Sequence, residues 1–284
     1  MSKPTMSEAE AKKKLEEATA ALEKQITKGK AQFGIRIGQL QERLAALDAE
    51  LADLDVRRAQ LAPYQDHPEG AFHYQRIELL HRGNAHMRQA LAIELACVEH
   101  NAQVLEVGPG ATSVEKGENP FREPENDPAF LEARATSDMY LAGFHWVGLS
   151  PAIDAIMRVG VKEAALRVMD ADQEQACLDR ANRLKAAMQG DPELTMKVTR
   201  WAGELQEAAL LLDWAKSALK RLANVPVAER KATFEDPDWA KLNGKALFLG
   251  SLAKQAQEAH PALAALFAPP APAEQAEAAE PELA

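Results

Sequence analysis

Residues 33–61 read "FGIRIGQLQERLAALDAELADLDVRRAQL". Phe33, Leu40, Leu47, Leu54 and Leu61 recur at every seventh position, and Ile37, Leu44 and Leu51 follow four residues behind. Apolar residues alternating in steps of three and four form the a/d stripe of a coiled-coil helix, here broken only where Arg58 takes an a position. A stripe of this kind must lie against another helix, from the same chain or from another copy. The eight apolar residues are the candidate interaction residues, and their regularity favours self-association or docking into a larger assembly.

The pattern extends upstream. Leu15, Ala18, Leu22, Ile26 and Gly29 keep the same spacing in a different phase, and an extra four-residue step between Gly29 and Ile37 makes a stutter. Gly29, Gly34 and Gly38 cluster there, and each weakens a helix by about 1 kcal/mol relative to alanine. The expectation is one bent helix over 7–62 rather than two hinged ones. Ser7 and Glu10 form a capping box at its start. Lys12, Lys13 and Lys14, followed by Glu16 and Glu17, read as a solvated face of i,i+4 pairs.

Composition points the same way. Of 284 residues 55 are alanine and only 15 glycine, and aromatic residues make up 5%. Alanine loses no side-chain entropy in a helix, so an all-α chain is expected. The net charge is −10, with +1 over residues 1–61 and the acidic excess beyond. Nucleic-acid binding needs clustered Lys and Arg on one face, and none is seen. Cys97 and Cys177 stand far apart, which suits a reducing interior. "MSKPTMSEAE" has no apolar core of a secretory leader, and the uncharged run 139–153 is too short to span a bilayer. A cytoplasmic protein, or one in an intracellularly assembled particle, is expected.

Further along, a second helix fits 71–106. Residues 107–128, "VGPGATSVEKGENPFREPENDP", have no apolar period and read as a loop or linker. A helical bundle follows over 129–268, and 269–284 form a Pro/Ala/Glu-rich tail expected to be disordered. Asp127-Pro128, Ser150-Pro151, Asp191-Pro192 and Asp236-Pro237 each place a capping side chain before a proline and mark helix starts. Gly160 and Gly190 mark helix ends. In 192–223, Val198, Trp201, Leu205, Ala208, Leu212, Ala215, Leu219 and Leu222 form a stripe that Leu211 and Trp214 broaden, as in a helix covered by several neighbours.

Four short motifs carry candidate chemistry. "VLEVGPG" in part resembles motif I of S-adenosylmethionine-dependent methyltransferases, with Glu106, Gly108 and Gly110 in the matching positions and Thr112 in place of a third glycine. That resemblance implies a parallel sheet and a nucleoside cofactor. The preceding residues instead have a helical period, and Pro109 with its glycines reads as a helix end. Gly148-x-Ser150-x-Ala152 approximates a hydrolase nucleophile elbow, but Pro151 has no N–H for an oxyanion hole. Glu78-x-x-His81 and Cys97-x-x-His100 have ligand spacing without a second pair to complete a metal site. No cofactor is therefore expected. Last, "MYLAGFHWVGL" (139–149) gathers Tyr140, Phe144 and Trp146 in a chain poor in aromatics, and these are candidate contact residues for a protein partner. The reading is a non-enzymatic structural, scaffolding or adaptor protein, with a methyltransferase-like enzyme or a helical metal-binding protein as alternatives.

Overall fold

The computed structural model describes residues 8–107, 119–162 and 168–268. Among these residues the chain is all-α, with no strand. Eight α-helices follow one another: α1 Glu8–Leu61, α2 Pro68–Val107, α3 Pro128–Gly160, α4 Ala171–Met188, α5 Pro192–Leu222, α6 Lys231–Phe234, α7 Pro237–Ala259 and α8 Pro261–Phe267. Ser7, Gly108, Pro109, Gly110, Thr112 and the tail from 269 lie outside the described residues, so the capping box, the glycine corner and the tail are not described.

α1 runs unbroken through Gly29, Gly34 and Gly38 for 54 residues. A Cβ at Gly34 or Gly38 would meet nothing, whereas one at Gly29 would come within 3.0 Å of Leu105 Cδ1.

Three of the four expected Asp/Ser-Pro starts are helix starts. Asp127 Oδ1 accepts from Ala129 N at 2.8 Å, Asp191 Oδ1 from Leu194 N at 2.9 Å, and Asp236 Oδ1 from Asp238 N at 2.9 Å. Each satisfies an amide that the first helical turn leaves unpaired. The fourth expectation is corrected: Pro151 lies inside α3, and Ser150 is not a cap. Ser150 Oγ instead donates to the Val147 carbonyl at 3.0 Å. In a regular helix that carbonyl would receive the N–H of residue 151, which proline lacks. Two caps without the expected pattern also occur: Asp170 Oδ1 accepts from Gln173 N at 2.8 Å, and His260 Nδ1 accepts from Ala262 N at 3.0 Å.

The chain divides into two compact units, Met1–Gly70 with His81–Ser137 and Leu222–Glu235, and Ala71–Leu80 with Asp138–Arg221 and Asp236–Ala284. Both flanks of the 107–128 segment fall in the first unit. Asn101 is the reason on its far side. Its Nδ2 donates to the Arg122 carbonyl at 2.8 Å, and Arg122 N donates to its Oδ1 at 2.7 Å, so residues around 122 are fastened to α2. In this unit Ala90 of α2 packs with Phe130 and Ala133 of α3. Ser137 Oγ donates to the Gly83 carbonyl at 2.8 Å.

The second unit is built around α5. Val198, Ala202, Leu205, Ala208 and Ala215 are fully buried on it. Small residues let α3 come close: a Cβ on Gly160 would sit 2.5 Å from Ala202 Cβ and 3.0 Å from the Val198 carbonyl. From the other side, Trp239 of α7 meets Trp214 of α5 at a ring separation of 4.8 Å. Lys245 bridges Glu207 at 2.5 Å and also pairs with Glu204. Arg158 ties α3 to Glu174 of α4 at 2.6 Å.

Candidate interaction surfaces

The heptad stripe finds its cover within the chain. Leu40 and Leu47 pack on Leu91 of α2, with Leu44, Met87, Leu95 and Val98 around them. Leu40, Leu47 and Leu54 are buried, while Phe33, Ile37, Leu44, Leu51 and Leu61 are half-buried. One series lies under the neighbouring helix and the other along its flank, as when a stripe has a single partner.

Ion pairs fix the register. Arg36 pairs with Glu94, Asp48 with Arg88, and Asp55 Oδ1 lies 3.2 Å from His81 Nε2. Partner numbers fall on α2 as they rise on α1, so the two helices run antiparallel. The Arg88 hydrogen bond and charge hold the Asp48 carboxyl below its usual range. Asp48 and Arg88 are exposed, and Glu94 and His81 are half-buried beside exposed partners; such pairs act as register marks more than as sources of stability. Arg58, the break in the stripe, stands at the closed end of the hairpin. Its Nη2 is 3.3 Å from Asp55 Oδ1 and its Nη1 is 3.4 Å from His81 Nδ1.

Over 40–47 the stripe packs on α2 of the same chain. α1 nevertheless outruns α2. Gly29 already faces Leu105, two residues before α2 ends at Val107. Every residue from Lys12 to Gln25 is exposed. Leu15 keeps 69% and Leu22 56% of its surface in the open. Among the described residues nothing covers this stretch, although it carries the upstream stripe.

The aromatic stretch 139–149 lies within α3, where a helix separates its residues onto two faces. Tyr140, Gly143, Trp146 and Val147 line a cleft of about 390 Å³ with Leu79 of α2 and Leu212 of α5. Phe144 points elsewhere. Its ring lies 5.2 Å from that of His145, and the Arg76 guanidinium stands 4.9 Å above it. Tyr140, Phe144 and Trp146 are all half-buried, so the stretch is part packing and part accessible surface.

The metal-type spacings meet other partners. His81 faces Asp55 and Arg58, as described, and His100 Nε2 is 3.0 Å from the Pro120 carbonyl. Burial pushes the thiols of Cys97 and Cys177 upward, Asp127 adding to the first. Among the described residues, no three His, Cys, Asp or Glu side chains come together as a metal site, and no helix is long and apolar enough to cross a membrane. Ser150 is buried with its hydroxyl engaged by Val147.

Sequence reasoning missed Arg36, Asp48, Arg88 and Glu94, because charges on a helix face carry no sign of which other helix they meet. It also missed Arg76, a charge one helical turn from Phe72 in a stretch otherwise read only as helix. Compared with protein families, curated proteins and solved structures, the chain matches none.

Proposed function

We propose that this chain is a non-enzymatic structural, scaffolding or adaptor protein that joins its assembly through the free end of α1, as a coiled-coil element. The observation that carries this reading is the exposed run from Lys12 to Gln25 beyond the reach of α2. An uncovered helix of that length is marginal in water. Covering Leu15, Leu22 and their neighbours by a second helix supplies what it lacks, at about 1.5–3 kcal/mol for each fully buried leucine. The half-covered series Phe33, Ile37, Leu44 and Leu51 continues the same surface. A second copy, or an assembly component presenting a similar stripe, fits such a seam. The cleft beside Tyr140 and Trp146 offers a further protein contact. The reading places the protein in the cytoplasm or in a particle assembled there.

Light scattering on the full chain tests this. The expected mass exceeds 31.0 kDa. Leu15→Asp with Leu22→Asp lowers it and removes only the concentration-dependent part of the unfolding midpoint. Leu40→Ala does the reverse: it costs about 2–5 kcal/mol of stability, because a buried leucine leaves a cavity in the hairpin. A full-length chain that stays at 31.0 kDa at every concentration overturns self-association. A mass insensitive to Leu15→Asp and Leu22→Asp overturns the role of this end of α1.

A further inference from the structure

Among the described residues, Arg76 is a cation without a counter-ion. Its Cζ stands 5.8 Å from the Phe72 ring centre and 4.9 Å from that of Phe144. Among the described residues its buried Nε has no hydrogen-bond partner and its guanidinium forms no ion pair. The guanidinium lies against bare backbone: a Cβ on Gly148 would fall 2.9 Å from Nη2 and 3.0 Å from Nε. His145 stands alongside, and burial together with the Arg76 charge pushes its imidazole below the usual range. Gly250 of α7 closes on the same ring, its Cβ position 3.1 Å from His145 Nε2. Phe72, Arg76, Phe144 and His145 are all only half-buried, so part of the group lies at the surface although the Arg76 Nε does not.

We propose that Arg76 and His145, framed by Phe72, Phe144 and the glycines at 148 and 250, form a binding site for a small oxyanion, a phosphate or carboxylate group. Aromatic faces attract the guanidinium but supply no acceptor, and an unpaired buried donor is costly. Planar guanidinium donors match the oxygens of phosphate and carboxylate. A neutral imidazole adds one further N–H donor beside them. The two glycines keep side-chain atoms off the backbone where the cationic group and the ring lie. Two alternative sites are weaker. The cleft beside Trp146 is mostly apolar, and Lys216 is the one cation in its lining among the described residues. The groove beside Lys197 and Arg200 contains Glu204 and Glu258, which already balance its charge.

The test uses the full-length protein with histidine ring carbons labelled, titrated with inorganic phosphate and, in a second arm, with acetate. The expected result is a saturable shift of the His145 ring signals and a rise in its pKa, because a bound anion stabilises the imidazolium. Phosphate acting alone assigns the site to phosphoryl groups, and acetate acting as well assigns it to oxyanions generally. Arg76→Gln weakens binding by at least about tenfold, the loss of charge-assisted hydrogen bonds, while Arg200→Gln leaves it unchanged. Unshifted His145 signals in the unmodified protein overturn the proposal without reference to any variant. Binding that survives in folded Arg76→Gln overturns it too.

Discussion

Ser150 Oγ donates to the Val147 carbonyl at 3.0 Å, the acceptor that Pro151 leaves without its helical N–H. The hydroxyl thus repairs the gap that the neighbouring proline opens, and α3 continues for nine residues beyond Pro151 to Gly160. Ser150→Ala is expected to destabilise the fold by about 1–3 kcal/mol, the cost of an acceptor stripped of its partner. In a Pro151→Ala background the backbone amide returns and the same change costs much less. Urea unfolding of the four proteins in this cycle measures the coupling, and additive losses would contradict the repair.

That local exchange also shows where sequence reading ended. Asp127, Asp191 and Asp236 before proline were legible as caps because aspartate's side chain can reach an amide two or three residues on. Ser150-Pro151 has the same letters, and whether the chain starts or continues a helix there depends on the apolar residues Ala152, Ile153, Ile156 and Met157, which are buried beyond it. The stripe from Phe33 to Leu61 was legible because its period is a property of one helix. Its partner was not: Leu91 meets Leu40 only through the turn at 62–67 and the register set by Arg36–Glu94 and Asp48–Arg88. Tyr140, Phe144 and Trp146 are close in sequence, yet the two residues of helix from 144 to 146 turn the chain by about 200°, and Phe144 and Trp146 meet different neighbours. Nothing in the residues around Arg76 indicates that its guanidinium stands over the Phe144 ring.

Glycines in this chain divide by what a methyl group would meet. Gly160→Ala drives a Cβ to 2.5 Å from Ala202 Cβ, so α3 and α5 must separate or strain, at about 1–3 kcal/mol. Gly203 and Gly244 lie inside α5 and α7 with nothing within 4 Å of that position. Alanine there raises stability by about 0.5–1 kcal/mol, because the unfolded chain loses freedom and the helix gains a better former. Thermal unfolding of the three single variants is the check. A stabilised Gly160→Ala would mean that the α3–α5 approach is looser than the Ala202 distance states.

Two histidines tie stability to pH. Burial pushes His145 down, with the Arg76 charge acting in the same direction. Burial likewise pushes His86 down, partly offset by Glu132 and reinforced by Arg82. A depressed value in the fold means that the unfolded chain takes up protons which the folded chain refuses. The contribution of these groups is therefore complete above their ordinary value of 6.5 and is lost as pH falls from there through the folded values. Carboxylates add their own acid sensitivity lower down, so the comparison belongs between about pH 7.5 and about pH 5.5, where histidine is the side chain that ordinarily titrates. Over that interval the urea midpoint of the unmodified protein falls, and His145→Gln makes the fall shallower. His86→Gln does so less, since Glu132 already opposes the effect of burial there. An unchanged slope in both variants would show that neither imidazole is held neutral by its surroundings.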